Sequence, residues 1–127
     1  MADELALIVD DNEKNMRLAR YVLRLGGFRT LEAATGAAAV SLAVEHVPDV
    51  ILMDIRLPDV DGTEAARQLR ADPRTARIPV IALTAFAMKG DRERFLTAGF
   101  DGYIEKPIDI AEFSEQVRRY CAGSQRD

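Results

Sequence analysis

The 127-residue chain reads as an α/β domain with a five-stranded parallel sheet and helices on both faces. Three observations predict this class. Five short apolar runs alternate with five stretches of helical periodicity, the pattern of a sheet covered by helices on both sides. The central run, Val50 to Met53, has no polar residue, as a strand buried on both faces requires. Polar residues follow the apolar runs directly: Asp10 and Asp11, Asp54, and Thr84. In open α/β sheets, such positions lie at the carboxyl edge, where ligands bind. Right-handed crossovers narrow the topology, but the pattern alone leaves the strand order open.

Each element has its own signal. Leu5 to Val9 is a buried strand, after which Asp11 or Asn12 can cap the next helix. That helix carries Leu18, Ala19, Val22 and Leu25 as its apolar stripe and stops at Gly26-Gly27. Phe28 to Ala33 is the second strand. A second helix follows Gly36, with Val40, Ala43, Val44 and Val47 as its stripe, His46 near its end for a charge-dipole role, and Pro48 as its stop. The third strand ends at Asp54, and Leu57-Pro58 and Gly62 then mark a turn. Ala66 and Leu69 mark a third helix that ends near Asp72-Pro73. Ile78 to Leu83 is the fourth strand, with Thr84 at its exit. A fourth helix runs from about Met88 to Ala98 and ends at Gly99. Its charges, including Lys89, Asp91, Arg92, Glu93 and Arg94, read as a solvated face or part of a partner surface. Tyr103 to Glu105 is a short fifth strand. Asp109 and Glu112 have capping-box spacing before a last helix with Ile110, Phe113, Val117 and Tyr120 as its stripe. The expected organisation is a single domain over 1–127, with a core over about 5–120 and a polar tail at 123–127.

Composition excludes several function classes. The net charge of −4 disfavours unaided nucleic-acid binding, which rests on neutralising phosphates, and gives no basic patch for anionic membranes. No apolar run approaches the roughly 20 residues that span a bilayer. The acidic start, Met1-Ala2-Asp3-Glu4, is not a signal peptide. The single Cys121 forbids an internal disulfide and fits a reducing cytoplasm.

The strand exits carry the chemistry. Taken singly, Asp10 and Asp11 read as a helix cap, Asp54 as a turn residue, Thr84 as a strand residue and Lys106 as a solvated charge. In a parallel sheet, however, all five meet at one edge. Three carboxylates repel one another unless a cation joins them. Hard oxygen ligands and open coordination positions point to Mg²⁺. A lysine and a hydroxyl opposite the metal make a cage for a phosphoryl group, within which Asp54 can attack phosphorus and become an acyl phosphate.

On Ile8-Val9-Asp10-Asp11-Asn12, Met53-Asp54, Leu57-Pro58, Gly62, Leu83-Thr84-Ala85 and Lys106-Pro107, the chain resembles the receiver domain of response regulators in two-component signalling, from about Leu5 to about Tyr120. Asp54 to Pro58 and Thr84 to Asp91 narrow the likeness to single-domain members and to receivers fused to hybrid kinases. The resemblance implies a flavodoxin-like sheet of order 2-1-3-4-5. It implies phosphorylation of Asp54 by a sensor histidine kinase or histidine phosphotransfer protein. Asp10, Asp11, Asp54 and the main-chain carbonyl of Arg56 would hold Mg²⁺, Lys106 would pair with the phosphoryl oxygens, and Thr84 would donate to them. Thr84 and Tyr103 would form the switch, and the Lys106-Pro107 bond would be cis.

Arg56 and Phe86 border the expected phosphoryl position and are candidate modulators, with Phe86 expected to slow dephosphorylation. The expected function is a phosphorylation-dependent switch: a phosphoacceptor that assists its own phosphorylation and dephosphorylation rather than an enzyme. Its readout would be protein binding through the fourth helix, fifth strand and fifth helix, in the cytoplasm, with a weak homodimer left open and no nucleic-acid or membrane partner expected. Two alternatives stand beside this one. One is a Mg²⁺-dependent phosphohydrolase with an aspartate nucleophile, although Arg56 occupies the position two residues beyond Asp54 where such enzymes place a second aspartate. The other is a receiver excised from a larger hybrid kinase or regulator.

Overall fold

The computed structural model describes residues 4–84, 91–106 and 108–121. Strand and helix alternate along it: β1 (Leu5–Val9), α1 (Glu13–Leu25), β2 (Arg29–Ala33), α2 (Gly36–His46), β3 (Val50–Asp54), α3 (Gly62–Ala71), β4 (Val80–Thr84), α4 (Asp91–Ala98), β5 (Gly102–Glu105) and α5 (Phe113–Tyr120). The strands pair in parallel in the order β2-β1-β3-β4-β5, as the resemblance implies.

Side chains alternate across a strand, and this sorts the apolar residues into two cores. Leu7, Val9, Ile51, Met53, Val80 and Ala82 face one side, against Ala39 and Ala43 of α2, Ala65, Ala66 and Leu69 of α3, and Phe95 and Ala98 of α4. Ala6, Ile8, Val50, Leu52, Ile81, Leu83 and Ile104 face the other side, against Met16, Ala19, Val22 and Leu23 of α1 and Phe113 and Val117 of α5. Small residues on α2 and α3 bring those helices close to the sheet. The pairing also aligns the strand ends. Val9 lies beside Met53, Asp54 beside Leu83, and Thr84 beside Glu105, so the residues that follow emerge along one rim.

The helix faces depart from the expected stripes in three places. In α1, Ala19 and Val22 are buried as expected, but Leu18 and Leu25 are exposed, Leu25 by 69%. Met16 and Leu23 take the inward positions instead. In α2, Ala43 is buried, but Val47 is 56% exposed. Pro48 disfavours the helical conformation for the residue before it. Val47 instead caps the helix in the left-handed region, at φ 44, with its N–H donating to the Ala43 carbonyl.

In α5, the helix begins at Phe113, and its cap Glu112 makes no side-chain bond. Asp109 accepts from the Ala111 N–H at 3.0 Å and shapes the turn that precedes the helix. Ile110 lies in that turn and is 61% exposed. Helix α1 is capped by Asn12, whose side chain accepts from the Asn15 N–H. Gly99, at φ 113, ends α4. Met88, Phe86 and Pro107 lie outside the described residues, and with them the expected start of the fourth helix, one candidate modulator and the cis bond.

Candidate functional site

The rim gathers the residues that the strand exits pointed to. Asp10 follows β1 and is only 2% exposed. Burying a carboxylate without partners is costly, and Asp10 is well partnered. Its backbone N–H donates to the Ala33 carbonyl at 3.1 Å, and its Oδ1 accepts from the Asn12 N–H at 2.9 Å. Its Oδ2 meets the Lys106 ammonium at 3.1 Å. Asp54 ends β3, half-buried. One oxygen accepts from the Arg56 N–H at 3.2 Å, and the other lies 3.3 Å from Lys106 Nζ. Asp11 is exposed above them. One carboxylate oxygen from each of Asp10, Asp11 and Asp54 lies within 4.8 Å of the others.

Lys106 is held in place by the sheet. Its backbone N–H donates to the Thr84 carbonyl at 2.8 Å, which extends the pairing of β4 and β5 by one residue and turns the ammonium toward both aspartates. Burial pushes the Asp54 carboxyl above its ordinary range. Lys106 opposes this by charge, the Arg56 N–H opposes it by hydrogen bonding, and Asp10 adds to it by repulsion.

These groups border an open cleft of about 420 Å³, lined by Asp11, Asn12, Asn15, Asp54, Ile55, Arg56, Thr84, Arg94 and Lys106. The structure therefore brings Asp10, Asp11, Asp54, Arg56, Thr84 and Lys106 together. It places Tyr103 elsewhere, half-buried beside α4, with its ring centre 6.2 Å from that of Phe95. Tyr103 borders a separate pocket with Ile104, Gln116, Arg119 and Tyr120.

Two features escaped the sequence reading. Arg94 is exposed, as expected of a solvated face or partner surface, but it also borders the cleft. Asp59, in the loop after Asp54, accepts from the N–H groups of Gly36 and Ala37 at 2.8 and 3.0 Å. These bonds hold its carboxyl below the usual range and tie the loop to the start of α2. The direction of α4 and the loop-to-helix contact both arise from tertiary packing, for which the sequence carries no local signal.

The same fold recurs in known proteins. The family model for the response regulator receiver domain matches residues 6–118. The polar-differentiation response regulator DivK of Brucella ovis is 48% identical over 118 residues, covering 93% of this chain and 96% of DivK. The receiver domain of a sensor histidine kinase from Pseudomonas aeruginosa superposes with a TM-score of 0.85 at 42% identity. That match covers 93% of this chain and 97% of the other, whose active-site cleft coordinates a magnesium ion. The chemotaxis response regulator CheY4 of Vibrio cholerae, at 23% identity, shares the fold with a TM-score of 0.86, over 92% of this chain and 98% of its own. From the family match and the identity to DivK together, the chain belongs to the response regulator receiver domain family of two-component signalling.

Proposed function

We propose that Asp54 accepts a phosphoryl group from a phosphohistidine on a sensor kinase or phosphotransfer protein. The observation that carries this reading is the position of the Lys106 ammonium, within 3.3 Å of both Asp10 and Asp54. A cation held there stands beside the oxygens of an incoming phosphoryl group.

The donor set fits Mg²⁺. Three carboxylates gathered within 4.8 Å offer hard oxygen ligands on an open cleft, and this ion keeps several waters and also takes phosphate oxygens. Asp10, Asp11, Asp54 and the Arg56 carbonyl would hold it. Bound there, it would relieve the repulsion among the carboxylates and draw charge from the phosphoryl oxygens.

The chain's own residues do the rest. An Asp54 oxygen attacks phosphorus, the P–N bond to the donor imidazole breaks, and the electron pair stays with the imidazole. Lys106 pairs with a phosphoryl oxygen. Thr84, at the exit of β4, donates its hydroxyl to another. The new charge and acceptors favour one of two existing conformations, in which Thr84 moves and Tyr103 turns inward from its half-buried position. Arg56 borders the same oxygens, and Phe86 is assigned the role of slowing the attacking water. The readout is a protein partner bound by α4, β5 and α5. The chain acts as a phosphoacceptor that assists its own phosphorylation and dephosphorylation, as a single domain in the cytoplasm.

Intact mass after treatment with a small-molecule phosphodonor and Mg²⁺ tests this. One added phosphoryl group is expected on the wild type and none on Asp54→Ala. Equal labelling of both proteins would refute the assignment. Beryllofluoride with Mg²⁺, standing in for the phosphoryl group, is expected to shift the NMR signals of Thr84 and Tyr103.

A further inference from the structure

We propose that Arg94 is a second cationic contact for the phosphoryl group and the direct mechanical link from that group to α4. This rests on the reading of Asp54 as the phosphoacceptor. Arg94 borders the same cleft as Asp54, Thr84 and Lys106, yet it belongs to a different element, one turn inside α4. Its guanidinium carbon lies 4.9 Å above the ring of Phe95, a cation–π distance.

Charge makes a second cation useful. Three carboxylates and one ammonium leave two negative charges, which a divalent ion balances. A phosphoryl group of about −2 then replaces a single carboxylate charge and leaves roughly one charge uncompensated at the rim. Arg56 and Arg94 both border that space. Arg56 sits on the loop just after Asp54, so pairing there would leave α4 where it is. Arg94 is carried by the helix itself. Its planar fork suits two phosphoryl oxygens at once, and reaching them would draw it off Phe95. Phe95 is almost wholly buried and packs against the rings of Phe100, at 5.8 Å, and Tyr103, at 6.2 Å. Moving the guanidinium therefore changes the contacts of the residue against which Tyr103 rests.

The test uses the full chain at saturating Mg²⁺, titrated with beryllofluoride and followed by amide NMR. Arg94 is exposed, so Arg94→Ala leaves both cores intact. Arg94→Ala is expected to bind beryllofluoride roughly tenfold more weakly, the equivalent of losing one charged hydrogen bond. Arg94→Lys should recover part of the loss. In Arg94→Ala, the shifts at Phe95 and Leu96 should disappear while the shift at Thr84 persists. Wild-type affinity together with wild-type α4 shifts in Arg94→Ala would overturn the proposal. No response in the wild-type protein would instead overturn the Asp54 reading on which it rests.

Discussion

A methyl group added to Gly62 would stand 2.5 Å from the carbonyl oxygen of Asp54 and 2.9 Å from the Cα of Ile55. Those atoms are backbone and cannot swing aside. The closeness comes from a loop that folds back on itself, with the Gly62 N–H donating to the Ile55 carbonyl at 2.7 Å. Gly62→Ala should therefore cost about 1–3 kcal/mol, as overpacking does, and should displace Asp54. Denaturant unfolding together with the rate of phosphodonor labelling checks both effects. A variant of wild-type stability and rate would contradict the close approach.

Val47 offers the opposite case. A β-branched residue at φ 44 is strained, and its exposed side chain has little packing to lose. Val47→Asn should stabilise the protein by roughly 0.5–1 kcal/mol, because asparagine tolerates the left-handed region. A rise in melting temperature with unchanged beryllofluoride binding is the expected result.

Arg70 ties three segments together at the far end of the sheet. Its guanidinium donates to the carbonyls of Gly99, Ala76 and Ile78 at 2.7–2.8 Å and pairs with Asp101, which also accepts from the Val80 N–H. Lysine cannot reproduce this planar fork. Arg70→Lys and Arg70→Ala should both destabilise the fold, the latter by about 2–3 kcal/mol. Hydrogen exchange should speed up most at Val80 and Gly99. Uniform exchange across the chain would contradict a local role.

Cys121 is buried, and its Sγ donates to the Val117 carbonyl at 3.7 Å. Burial is the main cause that pushes its thiol up from an ordinary 9.0 to about 12, with Glu4 and Asp49 adding to the effect and Arg118 opposing it. Between those two values the unfolded chain has lost this proton and the folded chain keeps it. The thiol's contribution to stability is thus complete below about pH 9 and fades as pH rises toward about 12. Native protein at pH 8 should react with a thiol reagent far more slowly than unfolded protein. Equal rates would show the sulfur to be accessible.

The legibility of the sequence follows its physics. β1, β3 and β4 lie in the middle of the sheet and are covered on both faces, so Leu5–Val9 and Val50–Met53 stand out as unbroken apolar runs. β2 is an edge strand, and its mixed burial blurs its start, so Phe28 seemed to belong to it. The faces of α1 were harder to read because Leu18 and Leu25 continue the helical spacing on a side that meets solvent. The Asp109–Glu112 spacing matched a capping box, but the chain makes one more turn before α5 begins. The site was legible because its members end strands, and parallel strands end at one rim. Strand order came from the family likeness, since periodicity carries no information about which strands are neighbours. Arg94 and Asp59 reach their positions through packing between elements distant in sequence.

Because adjacent residues of β3 face different cores, this sheet tolerates no change of parity. Deleting one residue between Val50 and Asp54 would swap the surroundings of Ile51 and Leu52 and pull the carboxylate back by one step of about 3.3 Å. Changes of length therefore belong in the connections at the opposite end of the strands, such as that between α3 and β4. The reactive rim, by contrast, can be retuned only by exchanging one side chain for another.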